Sequence, residues 1–274
     1  MERKSIAQPV IIKGTGLHRG NLINLTIRPH DKGIIFVRQG IKIPASPDNI
    51  VDTRLNTTLG LGGVSISTIE HLMSALFGLG ITDCKVEVSG DEIPAMDGSA
   101  LPFVEHLEQA GIISLESELS SIVIQSSLNV MRGDSWIKAS PGKFRVSYEI
   151  DFPGAAIGRQ CMEYTGNRYV HDIAPARTFG RLADVEKMRA QGLAMGGGLH
   201  NAVVVDNEKV LNPGGLRFAD EFVRHKVLDI LGDLWTLGAP LEAEIRAYKA
   251  NHELHIELAK IIQSEYLGSN QTQK

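Results

Sequence analysis

The sequence predicts an α+β protein made of two similar halves, each combining a sheet with helices. Before residue 114, segments with the apolar alternation of strands are followed by segments with helical spacing. The same succession recurs after residue 121. At 274 residues the chain exceeds a common single domain, and each half can bury a core. The polar stretch from Ser114 to Ser121 is interpreted as a linker between domains at 1–116 and 122–268, although no sequence repeat relates the halves.

The first half shows mainly strand patterns, with two helices placed around its last strand. Strands are predicted for Gln8 to Ile12, Leu22 to Arg28, Gly33 to Val37 and Cys84 to Ser89. Helices are predicted for Ile69 to Phe77 and Leu101 to Ala110. Gly111 has the position of a helix C-cap after the second of these helices.

The second half repeats the succession of strands and helices. Strands are predicted for Ile122 to Gln125, Trp136 to Ala139, Arg145 to Ile150, Ala202 to Val205 and Glu244 to Tyr248. Helices are predicted for Leu182 to Gln191, for Arg224 to Asp233 and for His252 to Ile262.

Composition and charge exclude several classes of protein. A net charge of −4 without a basic run argues against a nucleic-acid-binding protein. Cys84 and Cys161 fit neither a CxxC motif nor a disulfide framework, which favours the reducing cytoplasm. No apolar segment could span a bilayer and the first residues lack a secretory signal, so we expect at most peripheral membrane contact. No heptad seam demands an assembly, and a monomer is expected.

Three polar side chains share one face of the predicted helix from Arg224 to Asp233. His225, Asp229 and Asp233 recur every fourth residue and fall within an arc of roughly 80°. Apolar residues form a separate stripe that would anchor the helix in a core. An imidazole and a carboxylate one turn apart suit zinc, which binds nitrogen and oxygen tetrahedrally and keeps one open position when catalytic. A further ligand must come from elsewhere in the chain.

His71 is the candidate for that ligand, and its neighbour Glu70 could take a proton from the water of a metal site. Two simpler interpretations remain open at this point. Ser67 and Glu70 have the spacing of a capping box, in which Glu70 would only satisfy backbone amides. His225 and Asp229 could be an ordinary helical ion pair.

Three segments that contain glycine are more specific than plain connectors. Residues 14–20 crowd glycines around His18, and residues 93–99 end in Asp97-Gly98-Ser99, which we interpret as a tight turn before a helix. The run at 196–198 lacks the lysine and spacing of a phosphate-binding loop. It is interpreted as a loop that allows close approach of another chain segment.

Six segments in chain order carry a resemblance that extends along nearly the whole sequence. They are Gly16–Gly20, Ser67–Leu72, Glu92–Ser99, Ala176–Gly180, Gly214–Phe218 and Val223–Leu234. Together they resemble the zinc-dependent UDP-3-O-acyl-N-acetylglucosamine deacetylases of lipid A biosynthesis. The resemblance implies a cytoplasmic enzyme that removes the N-acetyl group of UDP-3-O-(3-hydroxyacyl)-N-acetylglucosamine as acetate, the committed step toward lipid A in that family.

The resemblance also assigns roles by position. His71, His225 and Asp229 would bind one catalytic zinc ion. Since His71 belongs to the first half and the other two to the second, the zinc site would lie at the interface between the two packed domains.

The remaining catalytic roles are implied in the same way. Glu70 would be the base, His252 the acid that protonates the leaving amine, and Asp233 the partner that orients and charges His252. Thr178 would hydrogen-bond the oxyanion, and Lys226 would add positive charge beside it. These roles suit amide hydrolysis, which needs an activated nucleophile, a stabilised oxyanion and a proton donor for nitrogen.

The family also implies an apolar passage for the acyl chain, formed by residues 179–204. Candidate lining residues are Leu182, Val185, Leu193, Ala194, Met195, Gly197 and Ala202. Phe179, His18 and Leu17 are expected to contact the sugar or its acyl group. Arg181 departs from the apolar residue that the family often has, and Asn251 replaces a common glycine. The resemblance therefore does not fix the acyl length that the enzyme prefers or the geometry of the loop beside His252.

Two alternatives to this deacetylase function remain. One is a zinc amidase of the same fold that acts on another acylated sugar, and the other is a catalytically silent lipid-binding homologue. Glu70, His252 and Thr178 beside the ligands argue against the silent homologue, because binding alone needs neither a base nor an acid.

Overall fold

The computed structural model describes residues 1–152, 156–206 and 208–268. The first half contains β1 (Glu2–Ile6), β2 (Val10–Thr15), β3 (Leu22–Arg28), β4 (Ile34–Arg38), β5 (Ile41–Pro44), a 3-10 turn (Pro47–Asn49), β6 (Ile50–Asp52), β7 (Thr58–Leu61), β8 (Val64–Ile66), α1 (Glu70–Leu79), β9 (Cys84–Val88), α2 (Leu101–Gln109) and β10 (Ile112–Glu118).

The second half combines strands and helices in a similar order. It contains β11 (Ile122–Val123), β12 (Leu128–Arg132), β13 (Ser135–Ser140), β14 (Arg145–Phe152), β15 (Gly158–Tyr164), α3 (Tyr169–Asp172), β16 (Phe179–Arg181), α4 (Leu182–Ala190), β17 (Val203–Asp206), β18 (Lys209–Val210), α5 (Glu221–Trp235), β19 (Leu241–Glu242), β20 (Glu244–Tyr248), α6 (His252–Ile262) and a π-helical turn (Gln263–Leu267).

The two halves share one sheet topology, which confirms the predicted α+β class with two similar sheet-and-helix units. The five-stranded sheets have the orders β2-β3-β9-β4-β5 and β12-β13-β20-β14-β15. In each, the middle strand runs antiparallel to one neighbour and parallel to the other. One helix precedes that middle strand and one follows it, namely α1 and α2 in the first half and α5 and α6 in the second.

Alternation of buried and exposed side chains explains the strands of both sheets. Ile23, Leu25 and Ile27 on β3 are buried, while the residues between them are more exposed. Ile245 and Ala247 do the same on β20. One face of each sheet thus enters the core, as the period of two in a strand requires.

Helix α1 of the first half packs directly against α5 of the second. Gly232 permits this approach, because a Cβ at that position would overlap the carbonyl oxygen of Glu70. Leu72, Met73 and Leu228 are fully buried in this region. The polar residues near the start of α1 and along α5 are consequently brought into one buried space between the halves.

The segment predicted as a linker, Ser114 to Ser121, is for the most part a strand. Residues 112–118 form β10, which pairs antiparallel with β1, so this segment belongs to a two-stranded ribbon with the N-terminus. Polar composition misled the prediction because β10 itself is mostly exposed to solvent. Gly111 does follow α2 with a positive φ of 73°, as the C-cap prediction requires. The domain boundaries themselves stay a prediction.

Two small sheets were not predicted. Strands β6, β7 and β8 form one in the first half, and β16, β17 and β18 form the other in the second. Of their six strands, β17 corresponds to the predicted strand Ala202 to Val205. The other five have two to four residues each, too few for a period to be read from sequence. Among the described helices, none has the length and hydropathy needed to cross a membrane.

Candidate metal centre and its cleft

The three predicted metal ligands converge between α1 and α5. His71 Nε2 lies 3.8 Å from Asp229 Oδ1, and His225 Nε2 lies 3.3 Å from the same oxygen. One ligand atom from each residue lies within 4.8 Å of those of the other two, and all three residues are buried. His225 Nδ1 faces the carbonyl oxygen of Ala176 at 3.1 Å, which fixes the ring and leaves Nε2 free for a metal.

The chemistry of this cluster fits zinc. Burial lowers the pKa of His71 to about 3, with help from His225, and burial also lowers the pKa of His225, so both rings are neutral. Burial alone would raise the pKa of Asp229, but nearby His225 and Lys226 hold it well below its usual range. Asp229 Oδ1 is buried without a hydrogen-bond partner. An ionised oxygen without a donor beside two neutral imidazoles is a donor set that a divalent cation satisfies.

Glu70 lies in the first turn of α1, with 3% of its surface exposed. The backbone amide of Thr57 donates to its Oε2 at 3.0 Å. Burial raises the pKa of Glu70 to about 8, although nearby His252 opposes the shift. The capping-box interpretation is wrong, because Ile69 caps α1 without a side-chain bond and Glu70 bonds to a different segment of the chain.

His252 is the first residue of α6 and is paired with Asp233 of α5. Its Nδ1 lies 2.8 Å from Asp233 Oδ2, and its Nε2 lies 4.0 Å from Asp229 Oδ2. Burial by itself would lower the pKa of His252, but the charge and hydrogen bond of Asp233 outweigh it and raise the pKa to about 9. Asn251 caps α6 by accepting from the amide of Leu254, so this departure from glycine stabilises the helix that carries His252.

Thr178 is positioned by the turn at residues 97–99 of the first half. The amide of Thr178 donates to the carbonyl of Gly98 at 2.8 Å, and Arg217 Nη2 donates to Asp97 Oδ2 at 2.8 Å. Gly98 has a φ of 85°, and a Cβ there would overlap the Asn201 carbonyl. The turn interpretation of this segment is thus confirmed, and the turn also docks against the second half.

Lys226 and Phe179 form one wall of the cleft. Lys226 Nζ donates to Asp229 Oδ2 at 2.6 Å and lies 5.7 Å from the centre of the Phe179 ring. Phe179 in turn packs edge-on against Phe222 and His225. The lysine therefore carries its charge beside the metal cluster, and the phenyl ring shields that side of it.

The metal cluster opens into a cavity of about 340 Å³. The cavity is lined by all the predicted catalytic and metal-binding residues except Asp233, which lies behind His252: Glu70, His71, Thr178, His225, Lys226, Asp229 and His252. Leu17, His18 and Phe179 also line it. The seven predicted catalytic and metal-binding residues come from four separate segments of the chain and line one cavity.

A smaller cavity of about 80 Å³ shares Leu17, His18 and Phe179 with the first. Of the residues expected along the acyl passage, it is lined by Val185, Ala194, Gly197 and Ala202. Leu193 instead lines a different surface pocket, and Met195 is 58% exposed. Residues 196–198 make the predicted close approach, since a Cβ on Gly196 would overlap the carbonyl of Gly16.

The loop that carries His18 is fastened by a buried carboxylate. Glu92 is fully buried and accepts from the amides of His18 and Arg19 and from Thr68 Oγ1. His18 Nδ1 is buried without a partner. Arg181 lines the larger cavity, and its guanidinium pairs with Asp184 one turn along the chain.

Sequence reasoning missed Thr57, Glu92, Tyr148 and His255, four buried residues that surround the site. Thr57 Oγ1 donates to Asp233 Oδ1 at 2.5 Å, and the Thr57 backbone amide donates to Glu70 Oε2. A usable signal existed only for His255, which lies three residues after His252 and so shares its side of α6. The other three reach the site from distant strands and loops.

Comparison with known proteins agrees with this geometry. The sequence model of the UDP-3-O-acyl N-acetylglycosamine deacetylase family matches residues 3–264. Proteins named UDP-3-O-acyl-N-acetylglucosamine deacetylase include one from Campylobacter hominis, 44% identical over 96% of this chain and 92% of its own length. Another from Myxococcus xanthus is 42% identical over 96% and 87%. One from Geotalea uraniireducens is 43% identical over 92% and 85%. With a cleft built from residues of both halves and a match over nearly its whole length, the chain belongs to the UDP-3-O-acyl N-acetylglycosamine deacetylase family.

Proposed function

We propose that this protein hydrolyses the N-acetyl group of UDP-3-O-(3-hydroxyacyl)-N-acetylglucosamine, giving the free amine and acetate, as the committed step of lipid A biosynthesis. The observation that carries the proposal is the convergence of His71, His225 and Asp229 in a cavity that is also lined by the buried Glu70 and His252. Family membership supplies the substrate, because the relatives are named for it.

The cluster would hold one zinc ion through His71, His225 and Asp229. Zinc bound there supplies Lewis acidity toward the amide carbonyl and the attacking water. Neutral imidazoles and an ionised carboxylate are the protonation states that such binding requires, and burial together with the neighbouring charges favours them here.

Glu70 would act as the base that accepts the proton of the attacking water. Its Oε2 already accepts from the amide of Thr57, which leaves Oε1 to face the reaction. The carboxylate must be ionised to do this. Burial raises its pKa to about 8, and a cation beside it would lower that pKa again, because opposite charge favours the ionised form.

His252 would donate a proton from Nε2 to the leaving nitrogen. Because Nδ1 is bonded to Asp233, Nε2 is the nitrogen that points toward Asp229 and the cavity. Asp233 is fully buried, and its charge keeps His252 protonated near neutral pH. An acid with a pKa above the working pH retains its proton until the amine leaves.

Two further groups would stabilise the developing oxyanion. Thr178 lines the cavity on a backbone fixed by the Gly98 carbonyl, so its hydroxyl can donate from a rigid position. Lys226 adds positive charge beside Asp229. The sugar and acyl chain would contact Leu17, His18 and Phe179, with the chain continuing along Gly197 and Ala202.

The test is acetate release from UDP-3-O-(3-hydroxymyristoyl)-N-acetylglucosamine by the purified protein, before chelation, after chelation and after zinc is restored. We expect activity that disappears on chelation, returns with about one zinc ion per chain, and is lost in Glu70→Ala. Glu105→Ala, an exposed change on α2, is the matched control and should behave as the unaltered protein. Folded, zinc-loaded protein that releases no acetate would contradict the proposal and direct attention to another acylated sugar or to lipid binding.

We also infer that the enzyme is cytoplasmic and monomeric, with no nucleic-acid partner and at most peripheral membrane contact. Cys84 is buried and Cys161 is exposed, and both are free thiols, which supports a reducing compartment. Cell fractionation would test the compartment and the membrane contact, and light scattering of the purified protein would test the oligomeric state.

A further inference from the structure

His255 lies behind the proposed acid and has no place in the reaction described so far. It is fully buried on α6, and its Nδ1 lies 2.8 Å from Asp233 Oδ2. This is the same oxygen that His252 Nδ1 approaches at 2.8 Å. The two imidazole rings are nearly perpendicular, with centroids 5.9 Å apart. One carboxylate oxygen therefore joins two imidazoles.

The hydrogen bonds continue from His255 into the sheet of the second half. Tyr148 on β14 places its hydroxyl 3.0 Å from His255 Nε2 and 2.7 Å from the carbonyl of Ala250. Tyr148 is 1% exposed. The buried series Tyr148, His255, Asp233 and His252 thus extends from the central sheet to the cleft.

The count of protons fixes the direction of the bond between His255 and Asp233. Asp233 is ionised, since its bonds from His252 and His255 offset burial and lower its pKa to about 2, so it can only accept. The Tyr148 hydroxyl has one proton, and it can donate to Ala250 or to His255 Nε2. In either arrangement His255 Nδ1 carries a proton and donates to Asp233.

A carboxylate rotates easily about its last side-chain bond, so Asp233 needs donors other than His252 to stay in place. Thr57 holds Oδ1 and His255 holds Oδ2. Without His255, Asp233 Oδ2 would have His252 as its remaining hydrogen-bond donor. No other described residue would then hold this oxygen in the place where it orients His252.

We propose that His255, braced by Tyr148, is a positioning residue for the deacetylation, holding the Asp233 carboxylate where it aims His252 into the cleft. The proposal rests on the proposed function. The role of His255 is indirect, because this residue is buried behind Asp233 and does not line the cavity.

Three substitutions at this position separate its two nitrogens. His255→Asn can keep a donor near the place of Nδ1, His255→Gln favours the place of Nε2, and His255→Leu keeps the bulk and removes both. We expect His255→Leu to lower kcat by about 10- to 100-fold with little change in KM or zinc content. His255→Asn should stay within about threefold of the unaltered enzyme, and His255→Gln should fall between these two.

Tyr148→Phe removes one hydroxyl and serves if His255→Leu fails to fold. We expect kcat to fall by about threefold, because His255 loses its brace but keeps its bond to Asp233. His106→Leu on α2, the helix that corresponds to α6 in the first half, is the matched control and should leave kcat unchanged. Unchanged kcat in both His255→Leu and Tyr148→Phe would overturn the proposal, as would an equal loss in His255→Asn and His255→Leu.

A measurement without substrate separates this proposal from the proposed function. The low-field Nδ1–H proton signal of His252, observed by NMR in the zinc-loaded protein, should persist in His255→Asn and broaden or disappear in His255→Leu. If the unaltered protein releases no acetate, the proposed function fails. The NMR signals still show whether His255 holds Asp233 in its hydrogen bond to His252. A second zinc ion, bound by the unaltered protein and lost in His255→Leu, would overturn the proposal by showing that Asp233, His252 and His255 bind metal instead.

Discussion

The two halves have the same sheet order and matching helices, yet they contribute unequally to the site. Helix α1 supplies Glu70 and His71 from its first turn alone. Its counterpart α5 supplies His225, Asp229 and Asp233 over successive turns. The same topology therefore carries a short polar segment in one half and a polar face along most of a helix in the other.

The helices that follow the middle strands differ more sharply. Helix α6 begins with His252 after an Asn251 cap, whereas α2 begins after Ala100 with no side-chain cap and places none of its residues on the site. A duplicated framework thus fixes where helices meet, while the residues at their facing ends decide the chemistry. Substitutions at those ends should distinguish function from framework.

The largest loss of activity is expected for substitutions on α5. They compare His225, a proposed zinc ligand, with Asp233, the proposed partner of His252. His225→Ala should lose zinc and reduce acetate release by at least about 10³-fold, because a ligand is removed. Asp233→Ala should retain zinc and lose about 10²- to 10⁴-fold in kcat, because His252 loses its orientation and charge. Zinc content by atomic absorption and kcat on the same samples would measure both. Equal zinc loss in the two variants would refute this division of labour.

The next effect concerns the contact that joins the halves. Gly232→Ala places a methyl group against the Glu70 carbonyl and should lower the free energy of unfolding by about 3 kcal/mol. Gly214 has open space around its Cβ position, so Gly214→Ala is the matched control and should change stability little. Urea denaturation of the metal-free proteins would measure the difference. Equal midpoints would show that α1 and α5 can separate without cost.

A third effect, smaller at neutral pH, tests the ion pair beside Thr178. Glu221 is fully buried and accepts from Arg177 Nε at 2.8 Å. Burial would raise the pKa of Glu221, but the bonds from Arg177 and Arg217 lower it below its ordinary 4.5. Glu221→Gln should lower the free energy of unfolding by about 2 kcal/mol at pH 7.

The sign of the pH dependence follows from the lowered pKa. The stabilisation from ionised Glu221 is complete above about pH 4.5 and is lost as pH falls through the lower folded pKa. Denaturation of chelated protein should therefore show a gap between unaltered and Glu221→Gln protein that is constant at neutral pH and shrinks under acid. A gap that widened under acid would mean that the pKa is raised instead.

The smallest effect concerns the cap of α6, which α2 lacks. Asn251→Ala should lower the free energy of unfolding by about 1 kcal/mol, and Asn251→Gly by only a few tenths, because glycine tolerates the cap conformation. Thermal unfolding of the two variants would measure the order. A larger loss for glycine than for alanine would indicate that the Asn251 side chain is not what caps α6.

Much of the framework was predictable where one face of an element is buried. The strands Leu22–Arg28 and Glu244–Tyr248 and the helix His252–Ile262 have the predicted bounds, because alternation or helical spacing is complete within each of them. The ribbon of β1 and β10 was missed because its residues are mostly exposed and its pairing joins the two ends of the first half.

The sequence by itself determined the sharing of one helix face by His225, Asp229 and Asp233, since local geometry places every fourth residue together. The residues also indicated His71 and Glu70 as candidates, and the resemblance to a family gave them roles and added His252, which no spacing connects to the other residues. Only the tertiary structure decided that Asp229 Oδ1 has no hydrogen-bond partner and that Thr57, Tyr148 and His255 form hydrogen bonds that converge on Asp233. Those contacts join residues far apart in the chain, and they depend on how the two halves pack, which no local pattern encodes.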